Sequence, residues 1–312
     1  MKDCLSATVI IPTKNRPTDL QQVTRSLFEQ TVGPQSLIIV DQSYDEESRH
    51  RVEIELAKAA ARGMAWKLNY IHDKEVSGGA MARNRAMNVA DGNIWLFLDD
   101  DVVLEPEFIE RLLAVYRENP DADGVSGIIT NYPLPPVISR IWSRLFLRGP
   151  FHDERQPIYW RADRLRNAAP IVVRRFGGGL MSFRASVVRD LRFDENLYGV
   201  SDGEDVDFCT RLGPDAKMLI APSARLEHRH SAIRLQDHWL RRSARGNVFL
   251  YRKNWNSGIF NRFCYSWLIT GYLLVAVVAS LRRLSFDPCR ALRTGQEEAR
   301  RAVPQSELAR IA

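Results

Sequence analysis

The 312-residue sequence has little cysteine and no cysteine motif. Its four cysteines are Cys4, Cys209, Cys264 and Cys289, and no two of them form a CxxC pair. Neither a zinc site of the usual ligand spacing nor a disulfide framework is therefore expected. Reduced thiols in a cytosolic environment are the simplest interpretation.

Several motifs of nucleotide and acyl chemistry are also absent. No GxGxxG follows the first predicted strand, and no GxxxxGK[ST] occurs anywhere. These absences exclude a dinucleotide-binding fingerprint and a Walker-type phosphate loop. The hydroxyl residues Ser6, Ser26 and Ser77 lie in no GxSxG elbow, so acyl-enzyme chemistry has no support.

Charge and composition are those of an ordinary folded protein with a small basic excess. Hydrophobic residues make up 45% and charged residues 26%, and 44 Lys and Arg against 38 Asp and Glu give a net charge of +6. This composition excludes global disorder, and the surplus suits an anionic partner. The basic residues are dispersed rather than interleaved with aromatics on one element, so no nucleic-acid partner is expected.

The N-terminus does not have the pattern of a secretory leader. Asp3 interrupts it, and the strand-like run Thr8, Val9, Ile10 and Ile11 starts almost at once. A leader would instead show a basic start and an apolar stretch of about 7–15 residues. We therefore expect the catalytic part to face the cytoplasm.

Strand-like and helix-like segments alternate over the first 116 residues. Predicted strands cover residues 7–11, 36–40, 68–71 and 94–98, and predicted helices cover residues 18–30, 46–62, 80–90 and 106–116. This alternation predicts an α/β fold with a mainly parallel sheet and helices on both faces. Ligands of such sheets bind beyond the carboxyl ends of the strands. The polar clusters at residues 13–16, 41–43 and 99–101 each follow a strand, so we expect them to converge on one crevice.

Three consecutive aspartates, Asp99, Asp100 and Asp101, follow the fourth predicted strand. Neighbouring carboxylates repel one another unless a cation neutralises them, and hard oxygen ligands suit Mg²⁺ or Mn²⁺. Such an ion would bind a diphosphate, and three basic residues would also neutralise part of the negative charge of the diphosphate. These are Lys14, Arg16 and Arg83. The alternative for an isolated DDD is a solvated acidic turn.

A second acidic cluster contains Glu204 and Asp205, in a glycine-flanked loop about a hundred residues further on. A carboxylate at the mouth of a cleft is a candidate general base, whereas Asp202 or Glu204 alone would also suit a helix N-cap. His228 is either a metal ligand or an ordinary surface histidine. The sequence therefore places candidate acid–base chemistry in its second half.

The regular pattern breaks at residues 131–170, where prolines cluster around an apolar and basic segment at residues 141–148. A long irregular insertion of this kind is usually functional or mobile. Further on, residues 263–281 carry no charged side chain and have arginines at both ends. At ~1.5 Å per residue they nearly cover a hydrocarbon core of ~30 Å. Membrane insertion or close membrane association is favoured over the alternative of a buried core helix.

These motifs, taken in order, resemble a family 2 glycosyltransferase of the GT-A fold. The resemblance extends from residue 7 to about residue 255. It rests on VIIPTKNR at residues 9–16, IIVDQS at 38–43, GAMARN at 79–84, LDDD at 98–101 and GEDVDF at 203–208. The third segment resembles the helix before the metal motif, the fourth the DxD motif, and the fifth the acceptor-side ED motif.

The resemblance implies specific roles for the site residues. Nucleotide-sugar binding falls to the following residues: Pro12, Thr13, Lys14, Arg16, Asp41, Gln42, Arg83, Asp99 and Asp100. Gln42 stands where many members carry Asp, at a position that often contacts the base. The metal, Mn²⁺ or Mg²⁺, falls to Asp101, Asp99 and His228. Asp205 would be the catalytic base, with Glu204 beside it.

The activity implied is inverting transfer of a hexosyl or deoxyhexosyl group from a nucleotide-diphosphate sugar to an acceptor hydroxyl. A lipid-linked glycan or another cell-envelope glycoconjugate is the expected acceptor, and the cytoplasmic face of the membrane the expected location. The alternatives are a nucleotidyltransferase, which would usually have a glycine-rich phosphate loop, and a non-catalytic membrane scaffold with a degenerate transferase domain.

The length predicts about two domains. We expect a GT-A catalytic domain at residues 1–230, made of a nucleotide-sugar half at 1–125 and an acceptor half at 126–230 that contains the insertion at 131–170. Residues 231–312 are expected to form a C-terminal helical, membrane-associating region.

Overall fold

The computed structural model describes residues 5–63, 67–197, 203–229 and 239–302, so Cys4 and Asp202 lie outside the described residues. The chain divides into two compact units. The sheet unit contains Met1–Pro133, Glu154–Tyr198 and Glu204–Ala232, and the helical unit contains Leu134–Asp153, Gly199–Gly203 and Ile233–Ala312. Leu134–Asp153, inside the predicted insertion, therefore groups with the C-terminal helices rather than with the sheet. The predicted halves of the catalytic domain stay a prediction.

The described residues of the sheet unit form one nine-stranded sheet. Its strands are β1 (Ala7–Thr13), β2 (Ser36–Asp41), β3 (Lys67–His72), β4 (Ile94–Leu98), β5 (Val102–Leu104), β6 (Gly124–Ile129), β7 (Ile171–Val173), β8 (Leu180–Arg184) and β9 (Met218–His228). The order across the sheet is β3-β2-β1-β4-β8-β6-β9-β5, and β7 pairs with β9. Strands β1 to β4 are parallel, whereas β4–β8, β6–β8, β5–β9 and β7–β9 are antiparallel pairs. The sheet is thus parallel in its first half and mixed in its second.

Helices connect the parallel strands, because parallel neighbours need a long crossover. The helices of the sheet unit are α1 (Pro17–Phe28), α2 (Glu47–Ala61), α3 (Gly79–Met87), α4 (Phe108–Glu118), α6 (Arg155–Tyr159), α7 (Ala185–Val188) and α8 (Glu204–Arg211). The four helices predicted before residue 116 are confirmed, with ends that differ by at most three residues. Pro17 opens α1, where a missing N–H costs no helical hydrogen bond.

Pairing across the sheet aligns the carboxyl ends of β1, β2 and β4. Thr13 lies opposite Asp41 in the β1–β2 pair, and Ile10 lies opposite Phe97 in the β1–β4 pair. Every residue of β2 and β4 is buried, as expected for strands covered on both faces. The polar residues that follow these strands therefore emerge at one edge of the sheet.

The helical unit contains α5 (Val137–Phe146), α9 (Trp239–Leu250), α10 (Ile259–Arg283) and α11 (Asp287–Ala302). A π-helical segment at Tyr251–Trp255 continues α9. The uncharged run at residues 263–281 lies inside α10. Among the described residues, α10 alone has the length and apolarity to cross a bilayer, with 25 residues and a mean hydropathy of 1.8 in its most apolar window. Core helices of soluble proteins can also have this length and apolarity.

Candidate active site

The aspartate cluster lies in the turn between β4 and β5, and its middle member faces β1. Asp100 accepts a hydrogen bond from Thr13 Oγ1 at 2.7 Å and another from Arg16 Nη1 at 2.9 Å. Burial raises the pKa of the Asp100 carboxyl to about 7, although Arg16 and Thr13 oppose that shift. Asp100 thus ties the β1 loop to the β4 end and holds Arg16 beside the cluster.

The outer aspartates meet a histidine from a distant strand. Val102 of β5 pairs with His228 of β9, which places His228 Nε2 2.7 Å from Asp101 Oδ1 and 3.9 Å from Asp99 Oδ2. One ligand atom from each of Asp99, Asp101 and His228 lies within 4.8 Å of the other two. Two carboxylates and an imidazole suit a divalent ion such as Mn²⁺. The three predicted metal ligands are therefore close enough to share one ion.

Gly179 keeps this cluster open. A Cβ atom at position 179 would lie 2.8 Å from Asp99 Oδ2 and 3.3 Å from the Cε1 atom of His228. The backbone of Gly179 also accepts a hydrogen bond from the amide of Asp99 at 3.2 Å, because β8 pairs antiparallel with β4. A side chain here would fill the space between two candidate ligands, so the fit of the site to an ion depends on this glycine.

Arg83 of α3 connects the aspartate cluster to the second acidic cluster. Its Nη2 donates to Asp99 Oδ1 at 3.2 Å and to the Gly178 carbonyl at 3.0 Å, and its Nη1 donates to Glu204 Oε1 at 3.1 Å. The Arg83 residue is only 3% exposed. A buried guanidinium needs such partners, and here they hold the two acidic clusters at a set separation.

Glu204 and Asp205 begin α8 but have different surroundings. Glu204 is buried against Arg83, and its Oε2 has no hydrogen-bond partner among the described residues. Burial and the neighbouring Asp205 charge raise the pKa of Glu204 to about 7. Asp205 is less buried, accepts from the Gly178 amide at 2.8 Å, and has Arg155 Nη1 at 3.8 Å. Asp205 is therefore the more accessible carboxylate of the pair.

The loops after β1 and β2 are held mainly by their own side chains. Asp41 is fully buried, and its carboxylate accepts from the amide and hydroxyl of Ser43 and from Tyr70 Oη. Gln42 accepts at 2.7 Å from the amide of Gly78. Asp41 and Gln42 therefore form hydrogen bonds that stabilise the loop after β2. Nucleotide binding by these two residues stays a prediction.

Three other predicted nucleotide-binding residues lie at the same edge. Pro12 is half-buried near the end of β1, and Arg16 forms the ion pair with Asp100. Lys14 is exposed, with its Nζ 5.8 Å from the ring centroid of Tyr44. Tyr44 is itself 70% exposed. The edge thus presents cations and an unburied aromatic ring to solvent.

The structure adds residues that the sequence reasoning did not assign to the site. Gly179 contacts Asp99 of the aspartate cluster, Gly178 contacts Asp205 of the second acidic cluster, and Arg155 lies beside Asp205. The run Gly177-Gly178-Gly179 directly before a strand was a visible signal, because glycine in such a place often marks a close approach of backbone. Arg155 had no such signal, since it comes from the irregular insertion.

Known proteins resemble this chain in sequence and in fold. Residues 8–190 match the model of the family "Glycosyl transferase family 2". A stretch of 113 residues, 36% of this chain, is 31% identical to an uncharacterized glycosyltransferase of Haemophilus influenzae and spans about a third (35%) of that protein. A longer stretch of 246 residues is 24% identical to the glucosyl-dolichyl phosphate glucuronosyltransferase of Haloferax volcanii, covering 76% of this chain and 72% of that one.

Solved structures resemble the chain over nearly its whole length. Residues 1–349 of Staphylococcus aureus TarS superpose with a TM-score of 0.56 at 14% identity, covering 97% of this chain and 82% of that chain. The mannosyltransferase PcManGT of Pyrobaculum calidifontis, solved with GDP-Man and Mn²⁺, gives a TM-score of 0.56 at 16% identity over 95% of this chain and 85% of that one. Since the family model matches more than half of the residues, the chain belongs to glycosyl transferase family 2 and has the GT-A fold.

Proposed function

We propose that this glycosyltransferase is a metal-dependent, inverting enzyme that moves a hexosyl or deoxyhexosyl group from a nucleotide-diphosphate sugar to an acceptor hydroxyl. The observation that carries the proposal is the cluster of Asp99, Asp101 and His228. It is joined through Arg83 and Gly178 to a second carboxylate pair. Family membership favours glycosyl transfer over the nucleotidyltransferase alternative.

The donor would lie across the carboxyl ends of β1, β2 and β4. Ligands of such sheets bind there, and Lys14, Arg16 and Arg83 supply positive charge for a diphosphate at this edge. Two solved structures of this fold contain nucleotide sugars, GDP-Man in PcManGT and UDP-GlcNAc in TarS. These structures support a nucleotide-sugar donor and leave the base and the sugar open to experiment.

Asp99, Asp101 and His228 would hold Mn²⁺ or Mg²⁺. When bound, the ion supplies Lewis-acid stabilisation of the leaving diphosphate. Arg83 orients Asp99 through its hydrogen bond, and His228 Nε2 lies 2.7 Å from Asp101 Oδ1, so that one ion could contact both. Two carboxylates and an imidazole are suitable ligands for either ion. Because residue 179 is a glycine, no side chain from that position fills the space beside Asp99 and His228.

Asp205 would accept the proton of the acceptor hydroxyl. As that oxygen bonds to the anomeric carbon, the bond to the diphosphate breaks on the opposite face, and the configuration inverts. Asp205 is more exposed than Glu204, and Gly178 and Arg155 hold its carboxylate in place. Glu204 is engaged by Arg83, so its role in the proposal is to position that arginine.

The acceptor would be a lipid-linked glycan or another cell-envelope glycoconjugate, modified at the cytoplasmic face of the membrane. Two observations support this. The Haloferax relative is by its name a glucosyl-dolichyl phosphate glucuronosyltransferase, and α10 has the length and apolarity of a membrane segment. A lipid-linked acceptor would explain why the enzyme has such a helix, whereas a soluble acceptor would not.

A donor screen tests the proposal. The purified 312-residue chain is incubated with Mn²⁺, a panel of nucleotide sugars and an extract that contains lipid-linked glycan acceptors. The nucleoside diphosphate that is released is then measured. We expect one donor to turn over, EDTA to abolish turnover, and Mn²⁺ or Mg²⁺ to restore it. Full activity without metal would contradict the assignment of Asp99, Asp101 and His228. Retention of the donor's anomeric configuration in the product, read by NMR, would contradict a single displacement with Asp205 as base.

A further inference from the structure

Two helices of the helical unit expose apolar side chains over most of their length. The exposed apolar residues of this pair and of the turn that follows α10 are Val137, Ile138, Ile141, Leu145, Ile259, Phe260, Phe263, Trp267, Leu273, Leu274, Val277, Val278, Leu281, Leu284 and Phe286. On α10, positions 259, 263, 267, 270, 274, 277 and 281 follow helical spacing, and Thr270 is the polar exception among them. We call this surface the apolar face.

The apolar face is continuous from α5 to α10. Trp267 Nε1 donates to the carbonyl of Leu145 at 2.7 Å, and the rings of Phe146 and Trp267 are 5.2 Å apart. Trp142 Nε1 donates to the carbonyl of Gly271 at 3.1 Å. A Cβ at Gly271 would lie 2.4 Å from the Phe146 ring, so the two helices touch closely here. The exposed side chains of both helices therefore adjoin along this contact.

The opposite side of α10 is covered by protein. Its buried residues are Cys264, Leu268, Gly271, Tyr272 and Ala276, which form a single stripe. Asn247 of α9 donates to Tyr272 Oη at 2.9 Å, and the ring of Tyr251 stacks on Tyr265 at 3.9 Å. Lipid would therefore reach α10 from one side only.

The helices that cover α10 are highly charged. Arg241 of α9 pairs with Glu298 of α11, and α11 exposes Arg290, Arg293 and Arg300. Ser280 of α10 contacts Cys289 at 3.4 Å, so α11 folds back along α10. If α10 crossed a bilayer, these charges would lie at hydrocarbon depth, where charged side chains are strongly disfavoured.

We propose that the helical unit binds an anionic membrane with α5 and α10 parallel to its surface, the apolar face inserted at the boundary of headgroups and acyl chains, and no segment of α10 crossing. Residues 134–153 and 239–302 contain 15 Lys and Arg against 4 Asp and Glu. This excess complements anionic lipid, as in interfacial helices. The inference deepens the membrane part of the proposed function, but it does not depend on glycosyl transfer.

Vesicle binding of the full chain tests this arrangement. The probes are vesicles of phosphatidylcholine with one quarter phosphatidylglycerol, and vesicles of phosphatidylcholine alone, scored by flotation without donor or acceptor. We expect binding to the anionic vesicles, at least tenfold weaker binding to the neutral ones, and release by alkaline carbonate. Leu274→Glu on α10 and Ile138→Glu on α5 should each reduce binding at least tenfold. Val89→Glu is the matched control, because Val89 is an exposed apolar residue of the sheet unit and should leave binding unchanged.

Other outcomes would overturn the inference. A spanning α10 would resist extraction by alkaline carbonate. A second copy on the apolar face would leave the chain off vesicles and give a dimer that Leu274→Glu dissociates. Circular dichroism checks that the exposed substitutions leave the fold intact. Asp205→Asn should bind vesicles like the unmodified chain, so failure of catalysis and failure of membrane binding are measured separately.

Discussion

At the residue scale, the two adjacent carboxylates at the start of α8 are distinguished by their surroundings rather than by their chemistry. Glu204 faces the buried guanidinium of Arg83, whereas Asp205 faces the Gly178 amide and keeps more of its surface open. A proton acceptor must reach the substrate hydroxyl, either directly or through one water. The structure therefore favours Asp205 for proton transfer and Glu204 for holding Arg83.

We expect Asp205→Asn to reduce kcat by about 10²–10⁴-fold, the usual contribution of a general base. Donor affinity should stay within a few-fold, because the Asp205 carboxylate accepts from the amides of Gly178 and Val206 and not from a candidate metal or nucleotide ligand. Steady-state kinetics and nucleotide titration measure the two quantities. Glu204→Gln is the companion variant. If it abolished turnover while Asp205→Asn remained active, the base would be Glu204.

A second prediction at this scale concerns Gly179. We expect Gly179→Ala to weaken Mn²⁺ binding at least tenfold, because the added Cβ would meet the Asp99 carboxylate at 2.8 Å and press on His228. Gly177→Ala is the matched control, since its Cβ would meet only the flexible end of Arg155. Isothermal titration with Mn²⁺ compares the two. Equal affinities in both variants would remove Gly179 from the metal site.

At the scale of elements, long-range strand pairing assembles the site. His228 lies at the end of β9 and reaches Asp101 because β9 pairs antiparallel with β5. Gly179 reaches Asp99 because β8 pairs antiparallel with β4. The sequence pattern of the second half of the chain predicts neither the His228–Asp101 contact nor the Gly179–Asp99 contact, because irregular segments separate the strands there.

Close helix packing in the helical unit leads to a prediction about Gly295 of α11. A Cβ at this position would lie 2.1 Å from the carbonyl oxygen of Arg241, so α9 and α11 touch through backbone. We expect Gly295→Ala to destabilise the helical unit by about 1–3 kcal/mol, as overpacking usually does. Thr294→Ala on the exposed side of α11 should have an effect within about 0.5 kcal/mol. Hydrogen exchange of α9 and α11 amides measures both, and equal protection in the two variants would contradict the close approach.

At the scale of the whole molecule, buried carboxyls make stability depend on pH. Burial raises the pKa values of both Asp100 and Glu204 to about 7. Between the ordinary carboxyl pKa values, 3.8 for Asp and 4.5 for Glu, and the folded pKa of about 7, the folded chain binds more protons than the unfolded chain. The free energy of unfolding of the sheet unit should therefore fall as pH rises through this window.

Glu204→Gln should remove part of that dependence. Between pH 5 and pH 8 the free energy of unfolding of the variant should rise relative to that of the original chain by about 1–3 kcal/mol, since each pKa unit corresponds to ~1.4 kcal/mol. Asp100 is present in both proteins and cancels in the comparison. Hydrogen exchange of β1 and β4 amides at several pH values reports on this unit alone. A stability difference that does not change with pH would place the titration elsewhere.

The amino-acid sequence alone determined the local features of this protein. Apolar runs and helix signals predicted β1 to β4 and their helices, and the polar residues that follow these strands do meet, as the Thr13–Asp100 hydrogen bond shows. The family could also be named from five short motifs, because each is a contiguous segment that can be read without knowing any long-range contact. The tertiary structure decided which distant residues complete the site: Gly178, Gly179 and Arg155 join it through strand pairings and an insertion with no local periodicity. It also decided that α5 packs with α10 and that their apolar side chains stay exposed, since hydropathy measures how apolar a helix is and not which neighbour covers it.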